Sequence, residues 1–571
     1  MNLSNLSENK RALLAQRLQK AREKENKPQA IPPRPAELPA ILSFSQRRLW
    51  FLAQWQPDNP AYNMRTALRL FGDLNAAALH RAFDTILQRH QVLQMIYQAG
   101  EATAVAEPIQ TLHPQPTLPL PLLDLRPFAP DEREDELRRL AHEEIHRPFD
   151  LARDMPLRTS LLRMADQEHV LLLTVHHIAT DDWSWRILIE ELMACYRAYS
   201  QGEAVELPEL PIQYADFAHW QRSWLEENVL DRQLAYWQKQ LTNAPTVMEL
   251  PTDRPHPPIR TYAGANHTFQ IAPGVSLAVQ NLAQSAGATP FMVLLTALQL
   301  LLHRYTGQDD IVVGSPIAGR NRSEIEGLIG FFVNTLVFRT DLTGNPTVTD
   351  LLLQVRDTTL AAYEHQDLPF ERLVEALQPE RSLSHTPLFQ VLFNYHNAPR
   401  TQLTLPDLRV ERLPLESDTA KFDLSLAVVD TAEGIRATFN YNLDLFNPET
   451  IQRMAGHFVT LLEGMVANPH QPIADLPLLT KGEIQQIESW HGTTAVYPPL
   501  SSIQELFEAQ VMQTPENTAV TFEDESYTYA ELNRRANQLA HHLQQLGVQP
   551  DSRVGLFVER SLDILVGMLG T

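Results

Sequence analysis

One junction constrains this chain more than any other feature. The run Val170-Leu171-Leu172-Leu173-Thr174-Val175 is almost wholly apolar, as a strand buried on both faces requires. Trp185-Arg186-Ile187-Leu188-Ile189-Glu190-Glu191-Leu192 then carries apolar residues at helical spacing. Between them stand His176-His177-Ile178-Ala179-Thr180-Asp181-Asp182-Trp183. A strand therefore ends and a helix begins around two imidazoles and two carboxylates. A rigid strand end fixes chemical groups well, and histidine moves protons readily near neutral pH.

The rest of the chain mixes helices and strands without a strict βαβ rhythm, which predicts α+β layers. Leu157–Arg163 and Val170–His176 read as strands around an Ala165–Glu168 hairpin turn. A length of 571 residues implies about three or four folding units. Residues 1–27 are basic, with an apolar stripe of Leu13, Leu14, Leu18 and Ala21, and read as a leader helix or docking element. Residues 28–40 read as a proline-rich linker. Two globular units are expected at 41–206 and 207–479, then a linker at 480–500. The last unit, 501–571, ends in apolar Ile564–Leu569 and reads as the start of a domain that has been cut off.

A formal net charge of −22 argues against a nucleic-acid partner, which needs a basic face. Cys195 is the only cysteine, so no internal disulfide or cysteine-rich zinc site is possible; its helical, apolar setting reads as a small buried hydrophobe. No signal peptide or apolar span is evident, so no membrane partner and a cytoplasmic location are expected. His177 and Asp181 are four apart, but they span a strand end and a turn without a third ligand, so no metal is expected.

The histidine run resembles the HHxxxDG signature of nonribosomal peptide synthetase condensation domains. The resemblance recurs in order over residues 40–480. Ser43–Trp50 matches SxAQxRLW, with Ser45 in place of alanine. Arg89–Gln94 is similar to RHExLR, with Gln91 and Gln94 in place of charged residues. Tyr214–Trp220 looks like YxDYAVW, and Gly330–Thr335 with Arg339 looks like GxFVNTxxxR. His365–Glu371 matches HQDxPFE, and Arg381–Leu388 is a looser match to RDxSRNPL. Tyr527–Asn533 resembles the first core motif of an adenylation domain.

The resemblance implies two chloramphenicol-acetyltransferase-like lobes in a V-shaped pseudo-dimer, followed by a partial adenylation domain. It implies a tunnel at the lobe interface, entered by phosphopantetheine arms of an upstream donor carrier and a downstream acceptor carrier. One arm brings an acyl or peptidyl thioester and the other an aminoacyl thioester; no cofactor is bound directly. No carrier precedes residue 1, so the donor is expected in trans, from another polypeptide of a peptide or polyketide synthase or from a free acyl thioester. The phosphate loop of an adenylation domain would lie beyond Thr571, so amino-acid activation is not expected. The stretch Leu210–Phe217 looks most like the subtype that takes an L-configured donor.

Alternation along a strand keeps His176 and His177 from entering one tunnel together. The resemblance assigns catalysis to His177, as a base for the amine or as a group that positions it or stabilises the tetrahedral intermediate. Both roles are open. Asp181 is expected to hold the loop through a buried ion pair, with Arg339 as candidate partner. His176, Asp182, Trp183 and Asn334 complete the expected supporting set. Asp182 stands where the family has glycine, either as a tolerated helix cap or as a second charge that raises the pKa of His177 or favours a cationic amine. An epimerisation domain shares the fold but follows its own carrier, and a heterocyclisation domain carries paired aspartates. A non-catalytic recruitment platform of the same fold is the alternative from another class.

Overall fold

The strand Glu168–His176 lies inside a six-stranded sheet, antiparallel to Asn63–Gly72 on one side and Leu157–Ala165 on the other. That place explains its composition. Leu171, Leu173 and Val175 join a core with the helices Ala76–Arg89 and Asp182–Gln201. Val170 and Leu172 join another with the helix Pro130–His146. A strand covered on both faces must be apolar at successive positions. The structure is a computed structural model that describes residues 30–100, 107–225, 229–379, 382–396, 404–405, 408–415, 418–491 and 502–571. The expected leader, 1–27, and Arg381 lie outside the described residues.

From edge to edge this sheet runs Thr404–Leu405, Leu408–Leu413, Asn63–Gly72, Glu168–His176, Leu157–Ala165 and Leu122–Asp124. Its first two strands come from far downstream, so the first sheet is not closed by residues 41–206 alone. A second sheet runs Gly264–Ile271, Gly434–Asn442, Leu424–Thr431, Val391–His396, Asp310–Ile317 and Asn334–Asp341. The helices Pro290–Thr306, Val348–Glu364 and Pro448–Ala467 share its core. Pro290–Thr306 is buried at every position from Met292 to Leu302, which accounts for its uniformly apolar sequence. Among the described residues no single helix is long and apolar enough to cross a membrane.

Residues 1–480 and 481–571 separate into two units. The described part of the proline-rich stretch packs on the first. Ile31 is buried, the Arg34 amide donates to Asp216 Oδ1 at 3.0 Å, and the Gln110 amide donates to the Ala40 carbonyl at 2.8 Å. Its prolines shape an anchored segment rather than a free tether. In the second unit a helix, Lys481–Trp490, occupies the start of the expected linker with no buried residue. Thr528 caps the helix Tyr529–Gln545, accepting from the Glu531 amide at 3.2 Å.

Candidate functional site

His176 is the last residue of its strand and is buried. Its Nδ1 accepts from the Ile178 amide at 3.1 Å, and its ring meets Phe149 edge-on. His177 opens a single 3-10 turn, His177–Ala179. Its Nδ1 lies 2.7 Å from the Thr180 carbonyl. A carbonyl only accepts, so Nδ1 carries the hydrogen and a neutral ring keeps its lone pair on Nε2. The ring rests against Phe331, with 4.6 Å between centroids. Burial pushes both imidazoles down to about 3, and the nearby Lys421 ammonium pushes the same way. Both rings are therefore neutral near pH 7.

Asp181 is fully buried and serves several elements. Its Oδ1 accepts from the Ser184 amide at 2.7 Å and so caps the helix Asp182–Gln201. Its Oδ2 accepts from the Phe332 amide at 2.9 Å. Arg320 Nη2 donates to Oδ1 at 3.2 Å, and both side chains are 1 % exposed. The same nitrogen donates to Ser184 Oγ at 2.6 Å. Ser184 Oγ in turn donates to the Gly330 carbonyl at 2.7 Å and accepts from the Gly330 amide at 3.0 Å. One carboxylate thus fastens the helix start, Arg320 and the strap that carries Phe331.

The opening motif supports both the histidine turn and the strap. Gln46 Nε2 donates to the Ile178 carbonyl at 3.0 Å. Ser43 Oγ and Tyr214 Oη lie 2.9 Å apart, and Tyr214 donates to the Phe331 carbonyl at 2.6 Å. Ser45 uses its hydroxyl on the Val333 carbonyl at 3.4 Å. Asp182 is the first residue of its helix, with an ordinary helical backbone, so its position does not demand glycine's conformational freedom. Its charge suits a helix start. Lys421 lies with Nζ 4.9 Å from the centre of the Tyr62 ring. Burial lowers it to about 8, and Asp182 opposes that shift.

The family model for condensation domains matches residues 37–488. The chain belongs to the condensation-domain family. A model for AMP-binding enzymes matches residues 507–571. One of the linear gramicidin synthase proteins of Brevibacillus parabrevis is 48% identical over 543 residues, covering 94% of this chain and 10% of that protein. Phosphinothricin tripeptide synthetase PhsC of Streptomyces viridochromogenes is 40% identical over 567 residues, covering 98% of this chain and 52% of that protein. The chain thus spans a tenth or less of the gramicidin synthase proteins that it matches. The X-domain from teicoplanin biosynthesis superposes with a TM-score of 0.71 at 29% identity, over 79% of this chain and 100% of its own. The first condensation domain of the calcium-dependent antibiotic synthetase shares the fold, with a TM-score of 0.64 at 20% identity over 78% of this chain and 100% of its own. Nonribosomal peptide synthetase condensation domains have the two-lobe α+β fold, act as acyltransferases that form peptide bonds, and work with phosphopantetheine arms of carrier proteins.

Within this condensation domain, Arg339 is not the partner of Asp181. It pairs with Asp310 at 2.7 Å and donates to the Gln240 and Thr242 carbonyls at 3.0 and 2.8 Å. Its strand runs antiparallel to Asp310–Ile317, which sets it beside Asp310, and Arg320 takes the place expected of it. Asn334 donates to the Gln366 and Leu368 carbonyls and accepts from the Phe370 amide, so it locks the HQDLPF turn. Trp183 points its Nε1 at the Glu326 carbonyl, 3.0 Å away. The pKa of His177 is lowered rather than raised, and the field of Asp182 acts on Lys421, whose downward shift it opposes. Helix capping belongs to Asp181. A cavity of about 1150 Å³ opens between Phe51, Trp55 and the 382–388 loop, and neither histidine lines it.

Sequence reasoning missed Arg320, Ser184 and Lys421. Arg320 had a signal in Gly319-Arg320, directly after an apolar strand. Gly319 has φ +64°, and a Cβ there would stand 2.1 Å from the Phe332 carbonyl oxygen. Lys421 also had one: with Lys239, it is one of two lysines between Pro28 and Thr480 in a chain that otherwise uses arginine.

Proposed function

We propose that this condensation domain joins a carrier-bound aminoacyl amine to a carrier-bound acyl or peptidyl thioester, with His177 meeting the amine. The observation that carries this reading is the fixed ring of His177. Thr180 holds Nδ1–H, and a neutral Nε2 lone pair is left to accept from an incoming N–H. That bond orients the nitrogen toward the thioester carbonyl. The new N–C bond forms, the C–S bond breaks, and the departing thiolate takes up the proton that the amine loses. A ring held near 3 stores that proton poorly, so orientation comes before proton relay in our reading. Asp181 and Arg320 hold the loop and do not react; His176, Asp182, Trp183, Asn334 and Arg339 support the surrounding framework.

An upstream donor carrier and a downstream acceptor carrier deliver the two thioesters on their phosphopantetheine arms. The donor is an L-configured residue on this reading, from the resemblance around Leu210–Phe217. The likeness to an X-domain, solved in complex with OxyB, motivates the second reading of a recruitment platform without transfer. Intact-protein mass spectrometry with loaded donor and acceptor carriers separates the two. We expect transfer by the wild type, and a loss on the order of 100-fold or more in His177→Ala while that variant still melts cooperatively. Carrier binding with no transfer across a panel of donors would overturn the enzyme reading in favour of the platform.

A further inference from the structure

The helix Pro130–His146 ends in His142-Glu143-Glu144-Ile145-His146. Two histidines four apart on a helix share one face, the arrangement that lets such a pair grip a metal ion. Here the rings stack, with centroids 3.9 Å apart. Both Nε2 atoms approach one oxygen of Asp418, at 2.7 Å from His146 and 3.5 Å from His142. Asp418 arrives from the far end of the first unit, and the three ligand atoms lie within 4.8 Å of one another.

A second observation concerns the hydrogens. His146 Nδ1 lies 2.8 Å from the His142 carbonyl, so Nδ1 must be the donor. In a neutral ring Nε2 then carries a lone pair, and it faces a carboxylate oxygen that also only accepts. Two lone pairs at that separation need a cation between or beside them, either a proton or a metal ion. A backbone carbonyl holding the remote N–H is the usual second support of a metal-bound histidine. Two imidazoles and a carboxylate suit zinc and its neighbours in the first transition row.

We propose that His142, His146 and Asp418 bind a divalent transition-metal ion of the zinc type. The ion ties the helix Pro130–His146 to the segment that leads into Lys421. The Asp418 carbonyl accepts from the Gly264 amide at 2.8 Å, and Thr419 bridges to Ala263, so the metal links the first sheet's helix to the edge of the second sheet. It is a holding site rather than a hydrolytic one, because Glu143 is engaged by Arg139. The Arg65 guanidinium also acts on Asp418 and competes with the ion for its charge.

The test uses the full chain, stripped with a chelator and titrated with cobalt(II) and then zinc(II). We expect one equivalent of cobalt to give visible absorption bands, zinc to displace it, and zinc to raise the melting temperature. His142→Asn should weaken binding by tenfold or more, and His142→Asn with His146→Asn should abolish the bands. Both variants should melt as the metal-free wild type does, since His142 is exposed and His146 only half-buried. If they lowered that melting temperature, the cobalt spectrum of Asp418→Asn would decide by the same tenfold criterion. Equal cobalt affinity in wild type and variants, or no binding by the wild type, would overturn the proposal and leave an imidazolium–carboxylate pair with a proton as the shared cation.

Discussion

The side chains of Asp181 and Arg320 are each about 1 % exposed, and the pair is joined by hydrogen bonds to Ser184 and Phe332. Removing one member strands a buried charge, at a typical cost of about 3–5 kcal/mol. We therefore expect Asp181→Asn and Arg320→Met each to lower urea stability by about that much, and the double variant to lose clearly less than the sum. Additive losses would show that the two side chains do not act on each other. His176, which is buried, and the half-buried His177 make a different prediction. In the unfolded chain they protonate near their ordinary 6.5, whereas in the folded chain they resist to about 3. Between those values the unfolded state binds more protons, so their contribution to stability is whole above 6.5 and is lost as pH falls toward 3. Lys421 is part of the cause. In Lys421→Met, labelled with ¹³C at histidine Cε1, we expect the NMR titration of His177 to move to higher pH; an unchanged titration would refute the assignment. The histidine run and the holding role of Asp181 were legible in the sequence. The partner was not, because Arg320 lies far away along the chain and only the fold brings it near.

At the scale of elements, the strap Leu328–Phe332 is held through its backbone groups as well as by the burial of Leu328, Ile329 and Phe332. Arg320 donates to the Leu328 carbonyl at 2.8 Å, Tyr214 donates to the Phe331 carbonyl, and Asp181 accepts from Phe332. This geometry needs the chain at Gly319 to pass close under Phe332 with positive φ. Gly319→Ala adds a Cβ where no space exists and strains the backbone, at a cost on the order of 1–3 kcal/mol. We expect a lower melting temperature and slower transfer together, because Phe331 would shift on His177. A melting temperature equal to that of the wild type would show that the loop relaxes freely. The strand Val170–Val175 and the hairpin turn before it were readable because burial on both faces leaves a plain apolar mark. The strand Leu408–Leu413 was not: it is a strand of six residues near the sheet's edge, with Arg409, Glu411 and Arg412 among them. Such a strand reads as a loop until its partner is known.

At the scale of the whole molecule, chain order and spatial order part company. The two lobes looked separable near residue 206, because a proline-marked stretch follows and the apolar patterns on either side are each self-consistent. Yet Leu408–Leu413 pairs along Asn63–Gly72 from Ala67↔Leu413 to Gly72↔Leu408. Arg320 and the Phe332 amide supply the partners of Asp181, and Ile325, Leu328, Ile329 and Phe332 sit in the core formed by the first sheet and its helices. A chain ending at Glu206 would lose all of these at once. It would expose an edge strand, leave a buried carboxylate unpaired and open an apolar core, each of which is destabilising by itself. We therefore expect residues 30–206 expressed alone to show no cooperative thermal transition, and residues 30–480 to melt in one step with coincident far- and near-ultraviolet circular dichroism. A cooperative melt from residues 30–206 would mean that the first lobe carries its own stability, and that the returning strand is an addition to a finished domain rather than part of its core.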